Sequence, residues 1–151
     1  MDLKKYIRSI PDYPKKGILF RDITTLIENE KAFAHCIDLI FEKSQNFNFD
    51  KIAAIESRGF VFASAVSYIL KKPFIMLRKK NKLPAETHSV DFQLEYGDAT
   101  IEVHKDSINK GDKVLIIDDL IATGGTAEAS AKLVEMSEGS VAGFILSLIH
   151  I

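Results

Sequence analysis

Three short apolar runs, Lys51–Ile55, Pro73–Leu77 and Lys113–Ile117, punctuate the chain, and a longer one, Val141–Ile151, closes it. The first three are too brief for a helix of usual length and read as buried strands, and the last reads as a final buried strand. Between them the apolar period changes to that of a helix. Phe33, Ile37, Ile40 and Phe41 share one face of a segment from Glu30 to about Lys43. Phe60–Leu70 and Ala127–Met136 follow strands in the same way. Strands alternating with helices predict a mainly parallel α/β sheet flanked by helices, with ligands at the carboxyl ends of the strands. The rest of the pattern is shorter. Residues 2–10 predict a short helix stopping before Pro11, Asp12–Gly17 a turn, and Ile18–Ile23 an extended piece. Alternation over Thr87–Tyr96 and Thr100–Lys105 predicts a hairpin flap turning at Gly97–Asp98.

The candidate chemistry gathers where strands give way to helices. After Lys113–Ile117 come Asp118 and Asp119, then a small-residue loop from Ala122 through Thr123, Gly124 and Gly125 to Thr126, then a helix. A helix start offers unpaired N–H donors and the positive end of the helix dipole. Glycines there let an anion approach the backbone, and the two threonines add hydroxyl donors, so one phosphate monoester fits. Two carboxylates beside a phosphate loop would repel a bare polyanion. They suit a ligand that also carries vicinal hydroxyls and develops positive charge during reaction. A ribose 5-phosphate whose anomeric carbon turns cationic meets both conditions.

A second strand-to-helix turn, Glu56-Ser57-Arg58-Gly59-Phe60, repeats the geometry and adds a guanidinium fork suited to phosphate oxygens. After the Pro73–Leu77 run, four of the five residues from 78 to 82 are cationic. That cluster is either a solvated loop or a clamp on a polyphosphate leaving group.

Composition narrows the class. The chain has 151 residues, 46% hydrophobic and 27% charged, with a net charge of −1. This fits one α/β domain and gives no basic surface for nucleic acid. A single cysteine, Cys36, rules out an internal disulfide framework and favours a reducing, cytoplasmic setting. The apolar runs are too short to span a bilayer, so no membrane partner is expected, and the N-terminal residues lack the apolar region of a signal peptide. His35, His88, His104 and His150 are scattered, so no metal held by protein side chains is expected.

The Asp118–Thr126 stretch resembles the phosphoribosyl-diphosphate motif of the type I phosphoribosyltransferases, and its Asp-Asp-x-x-Ala-Thr-Gly-Gly-Thr form looks most like the members that act on adenine. Four further segments match. Tyr13-Pro14-Lys15-Lys16-Gly17-Ile18-Leu19-Phe20-Arg21-Asp22 is similar to the hood over the purine, which implies that Phe20 stacks on the base while the backbone at Leu19 and Arg21 reads its edge. Glu56–Phe60 is similar to the pyrophosphate loop, which implicates Ser57 and Arg58 and implies a cis peptide near Glu56–Ser57. Arg78 to Pro84 resembles the family's basic element, which implies that Arg78, Lys79 and Lys82 approach the diphosphate, Arg78 across a dimer interface. Leu94-Glu95-Tyr96-Gly97 looks like the catalytic loop, with Glu95 as general acid/base.

The likeness implies the type I phosphoribosyltransferase fold over residues 1–151, with a small N-terminal hood at 1–27 and a flap at 85–105. It implies transfer of the phosphoribosyl group from phosphoribosyl diphosphate to adenine, giving AMP and pyrophosphate. Mg²⁺ is expected on the phosphoribosyl diphosphate, Asp118 and Asp119 on the ribose, Ala122–Thr126 on the 5′-phosphate, and a homodimer. Another base, or a phosphoribosyl-diphosphate-binding regulator without catalysis, are the alternative readings. Family members usually continue by about one strand beyond this point, so the C-terminus is expected to be shortened relative to them.

Overall fold

The computed structural model describes residues 1–94, 97–119 and 124–146. In chain order, a 3₁₀ turn (Leu3–Tyr6) leads to β1 (Arg8–Ile10), β2 (Phe20–Asp22), α1 (Thr24–Ile27), α2 (Glu30–Ser44), β3 (Lys51–Ile55) and α3 (Arg58–Leu70). Then come β4 (Phe74–Lys79), β5 (Thr87–Leu94), β6 (Gly97–His104), β7 (Lys113–Asp118), α4 (Gly125–Met136) and β8 (Ser140–Leu146). Six strands form one sheet in the order β5-β6-β4-β3-β7-β8, and β1 and β2 form a small antiparallel pair. The pairs among β4, β3, β7 and β8 are parallel, while β6 runs antiparallel to β4 and β5.

The continuous apolar runs make sense because the sheet is covered on both faces. Ile52, Ala54, Leu115 and Ile117 pack with Phe62 and Val66 of α3 and Ile37 and Ile40 of α2. The alternate residues Ala53, Ile55, Val114 and Ile116 pack with Ala129, Leu133 and Val134 of α4. Asn29 starts α2 by accepting the Ala32 N–H at 2.9 Å, and Ala32, Cys36 and Ile40 are buried along one stripe. Cys36 is a free core thiol, and burial pushes its pKa up to about 11.

Three expectations are corrected. Residues 2–10 do not form a helix: only one 3₁₀ turn forms, and Arg8–Ile10 pairs with Phe20–Asp22. The pairing is fixed from outside the segment, by the Arg8–Asp22 ion pair at 2.6 Å and by the Thr25 hydroxyl donating to the Tyr6 carbonyl. Gly97 and Asp98 are not the turn of the hairpin. They are already strand residues opposite Leu94 and Gln93, and the ladder is supported there by the Thr100 hydroxyl donating to Asp91. Finally, β8 is less buried than expected. It lies on the sheet edge, and only Ile145 and Leu146 are fully buried among its described residues. Gly143 in β8 makes room for the Phe47 ring, which a Cβ there would overlap.

The Asp12–Gly17 turn forms as expected, with the Gly17 N–H donating to the Asp12 carboxylate at 2.8 Å and a cis Tyr13–Pro14 bond. Asp22 ties this N-terminal region to α1 by accepting the Thr24 N–H at 2.9 Å. Thr24 and Arg8 hold the Asp22 carboxyl down at about 2. Ile23 and Leu26 then sink into the core, each burial contributing about 1.5–3 kcal/mol.

Candidate active site

Adjacent parallel strands β3 and β7 end side by side, and each hands the chain toward a helix. The site grows from these two ends. Asp118 is the last residue of β7, and its Oδ1 accepts the Asp119 N–H at 2.8 Å. Asp119 is buried at 4% exposure, and its Oδ2 forms an ion pair with Arg58 Nε at 2.8 Å. Burial, then the neighbouring Asp119 charge, pushes the Asp118 carboxyl up to about 7. These are two oxygen-rich groups of which one is poised to lose a proton when positive charge approaches.

Gly59 lets the start of α3 press against the end of β7. A Cβ on it would sit 3.0 Å from Asp118 Oδ1 and 3.2 Å from the Ile117 carbonyl oxygen. Arg58 begins α3, with Ser57 as its N-cap residue, and the Glu56–Ser57 peptide is cis, as the resemblance implied. The Arg58 guanidinium also lies 5.3 Å from the centre of the Phe20 ring, which meets Tyr13 edge-on at 5.2 Å. Arg58 therefore touches the acidic pair on one side and the N-terminal aromatic cluster on the other, a cation–π arrangement.

Gly124 caps α4 with φ +83°, a left-handed conformation that favours glycine, and Gly125 and Thr126 form the first turn. The Glu128 N–H donates to the Gly124 carbonyl at 3.0 Å and closes the first turn of the helix. Ala122, Thr123 and the expected acid/base Glu95 lie outside the described residues.

The basic segment leaves β4 beside this site. Glu56 Oε1 accepts the Lys79 N–H at 2.6 Å and lies 3.5 Å from Arg78 Nε. Lys79, Lys80 and Lys82 line a groove of about 770 Å³ against Asp91, Phe92 and Gln93 of β5. Leu19 is exposed, and the exposed Arg21 side chain turns back to the Ser9 hydroxyl. The structure thus brings together Asp118, Asp119, Ser57, Arg58 and Phe20. Arg78 and Lys79 join them through Glu56, and Lys82 lies farther along the groove.

Two acidic residues hold the basic segment although the sequence reading gives neither side chain a role. Glu56 is visible as the first residue of its motif, but its contact with Lys79 joins the ends of β3 and β4, which lie more than twenty residues apart in sequence. Glu102 of β6 is buried, and nothing local marks it: it is one polar position between Ile101 and Val103, as strand alternation requires. Its importance comes from partners elsewhere in the chain. Asn81 donates its N–H to Oε1 at 2.9 Å, and the hydroxyls of Thr87 and Ser89 donate to Oε2.

An α/β sheet with a phosphate-ready helix start, an acidic pair and an arginine-bearing second loop at one edge defines a class of phosphate-ester sites, and the comparisons give it a family. The phosphoribosyl transferase domain pattern matches residues 22–148, so the chain belongs to the phosphoribosyl transferase family. It is 78% identical over 148 residues to an adenine phosphoribosyltransferase of Pelagibacter ubique, covering 98% of this chain and 85% of that protein. The crystal structure of adenine phosphoribosyltransferase from Thermoanaerobacter pseudethanolicus superposes with a TM-score of 0.93 at 48% identity, covering 96% of this chain and 84% of that one. That of the Saccharomyces cerevisiae adenine phosphoribosyltransferase, complexed with an iminoaltritol bisphosphate and adenine, gives 0.86 at 34% identity, covering 99% and 90%.

Proposed function

We propose that this chain is a purine-salvage enzyme that transfers the 5-phosphoribosyl group from phosphoribosyl diphosphate to adenine, releasing AMP and pyrophosphate. The observation that carries the reading is the contact series Phe20–Arg58–Asp119, which runs from an aromatic face through a guanidinium to a buried carboxylate. A base, a diphosphate and a ribose need an aromatic face, a cation and a carboxylate close together, and these three side chains supply them.

In this reading adenine stacks on Phe20, with the backbone at Leu19 and Arg21 reading its edge. The Ala122–Thr126 loop, which opens α4, takes the 5′-phosphate. Asp118 and Asp119 accept hydrogen bonds from the ribose hydroxyls and favour positive charge at the anomeric carbon as its bond to the diphosphate breaks. Adenine N9 forms the new bond to that carbon. Glu95 takes or shares the proton that the purine ring must shed. Ser57, Arg58, Arg78, Lys79 and Lys82 receive the charge of the departing pyrophosphate. Much of the acceleration comes from holding two anchored reactants in line.

The substrate is the Mg²⁺ complex of phosphoribosyl diphosphate. Among the described residues no group of three or more His, Cys, Asp or Glu could hold a metal by itself. The Asp118–Asp119 pair supplies hard oxygen atoms, which suit an ion that arrives on the diphosphate and ribose oxygens and keeps several waters. A homodimer, in which Arg78 reaches the partner's diphosphate, and a cytoplasmic setting belong to the same proposal.

The test is AMP formation with adenine, run beside guanine, hypoxanthine and orotate. Product from adenine alone is expected. Product from another base instead would overturn the base assignment, and binding of phosphoribosyl diphosphate without any product would favour a regulatory binder.

A further inference from the structure

The basic segment is the least regular part of the site, yet its backbone is held at two points by two carboxylates from different parts of the sheet. Glu56, just past the end of β3, accepts the Lys79 N–H. Glu102, in β6, accepts the Asn81 N–H at 2.9 Å. Glu102 is well placed to do so, because β6 is paired on both sides: Glu102 lies opposite Arg78 of β4 and opposite Ser89 of β5. Glu102 is buried, and its carboxylate accepts one backbone N–H and the Thr87 and Ser89 hydroxyls.

Two further facts single out the Asn81 contact. Asn81 has φ +67°, a left-handed conformation that asparagine adopts more readily than most side chains, so the chain turns sharply there and the contact keeps the turn in place. It also lies between Lys80 and Lys82, so fixing its peptide fixes where both lysines leave the backbone. The Ser89 hydroxyl and then the Asn81 N–H keep the Glu102 carboxyl below its usual range despite burial, and Lys80 adds to this.

We infer that Glu102 is a positioning residue for diphosphate: by gripping the Asn81 peptide it sets the lysine clamp to the spacing that a pyrophosphate needs. The inference rests on the proposal that Lys79 and Lys82 face the diphosphate. It gives the flap strands a second task, that of anchoring the clamp from behind.

The experiment uses the full chain with Glu102→Ala, Glu102→Gln and Lys82→Ala. It measures Kd for phosphoribosyl diphosphate by calorimetry and KM for each substrate. Glu102→Ala leaves a donor without its acceptor and is expected to raise Kd and KM for phosphoribosyl diphosphate about tenfold, with the adenine KM changed less than about twofold. Glu102→Gln, which keeps an oxygen for Asn81 and can donate to the two hydroxyl oxygens, is expected to recover most of that loss. If both substrates' KM values rise together, or neither moves while Lys82→Ala weakens phosphoribosyl diphosphate binding, the positioning role is wrong. If Lys82→Ala has no effect, the clamp reading itself fails, and this inference with it. Should Glu102→Ala not fold, Glu102→Asp, which draws the carboxylate back from the Asn81 N–H by one methylene, must reproduce the split, and its failure to do so overturns the role equally.

Discussion

In the proposed function Asp118 sets folding against catalysis. Its carboxyl is enclosed and beside another carboxylate, and it is pushed up to about 7. A carboxyl that titrates near 4 when unfolded and near 7 when folded binds more protons in the folded state between those values. Its contribution to stability is therefore present below about pH 4, falls as pH rises through that window, and is gone above it. Asp118→Asn keeps an oxygen for the Asp119 N–H and removes the buried charge. The variant is expected to melt higher than the parent at pH 8, by roughly 2–4 °C for each kcal/mol relieved, and to lose that advantage by pH 4. The same variant is expected to lose most of its turnover. An equal Tm at both pH values would mean that the carboxyl is not destabilising. This residue was legible as a candidate because two acids and a glycine loop adjoin in sequence. Glu102 was not, because its three hydrogen-bond partners come from the 80s of the chain and meet it only after β4, β5 and β6 have paired.

Between elements, the site depends on how closely α3 approaches β7. Gly59 sets that distance, and a side chain there would place a methyl against both Asp118 Oδ1 and the Ile117 carbonyl oxygen. Neither neighbour is the end of a long flexible side chain. Gly59→Ala is expected to destabilise the protein by about 1–3 kcal/mol, the usual cost of overpacking. It is also expected to cut turnover by displacing Asp118, and denaturant melts paired with initial rates would check both. A variant as stable and as active as the parent would show that the approach has slack. Element identities from α2 through α4 were legible because their apolar periods agree with their burial on both sheet faces. The first ten residues misled because a local pattern favouring a helix was overridden by strand pairing with residues 20–22, and the hairpin turn was misplaced because a glycine at positive φ also fits the first position of a strand.

For the whole molecule, the strand order decides what can come loose. β3 and β7 lie in the middle of the sheet, paired on both sides and covered on both faces, whereas β5 is an edge strand. Backbone amides of β3 and β7 should therefore exchange with deuterium only through global unfolding, and those of β5 through local opening at lower free energy. The acidic pair belongs to the slow region, and the Thr87 and Ser89 hydroxyls that hold Glu102 belong to the fast one. Phosphoribosyl diphosphate should accordingly slow exchange most over residues 79–104, leaving β3 and β7 nearly unchanged, a pattern that mass-resolved exchange would read directly. Uniform slowing across the sheet would contradict it. The six-stranded order thus separates a permanent floor, on which a sugar phosphate can be held, from a wall that can open to let pyrophosphate leave while the floor stays folded.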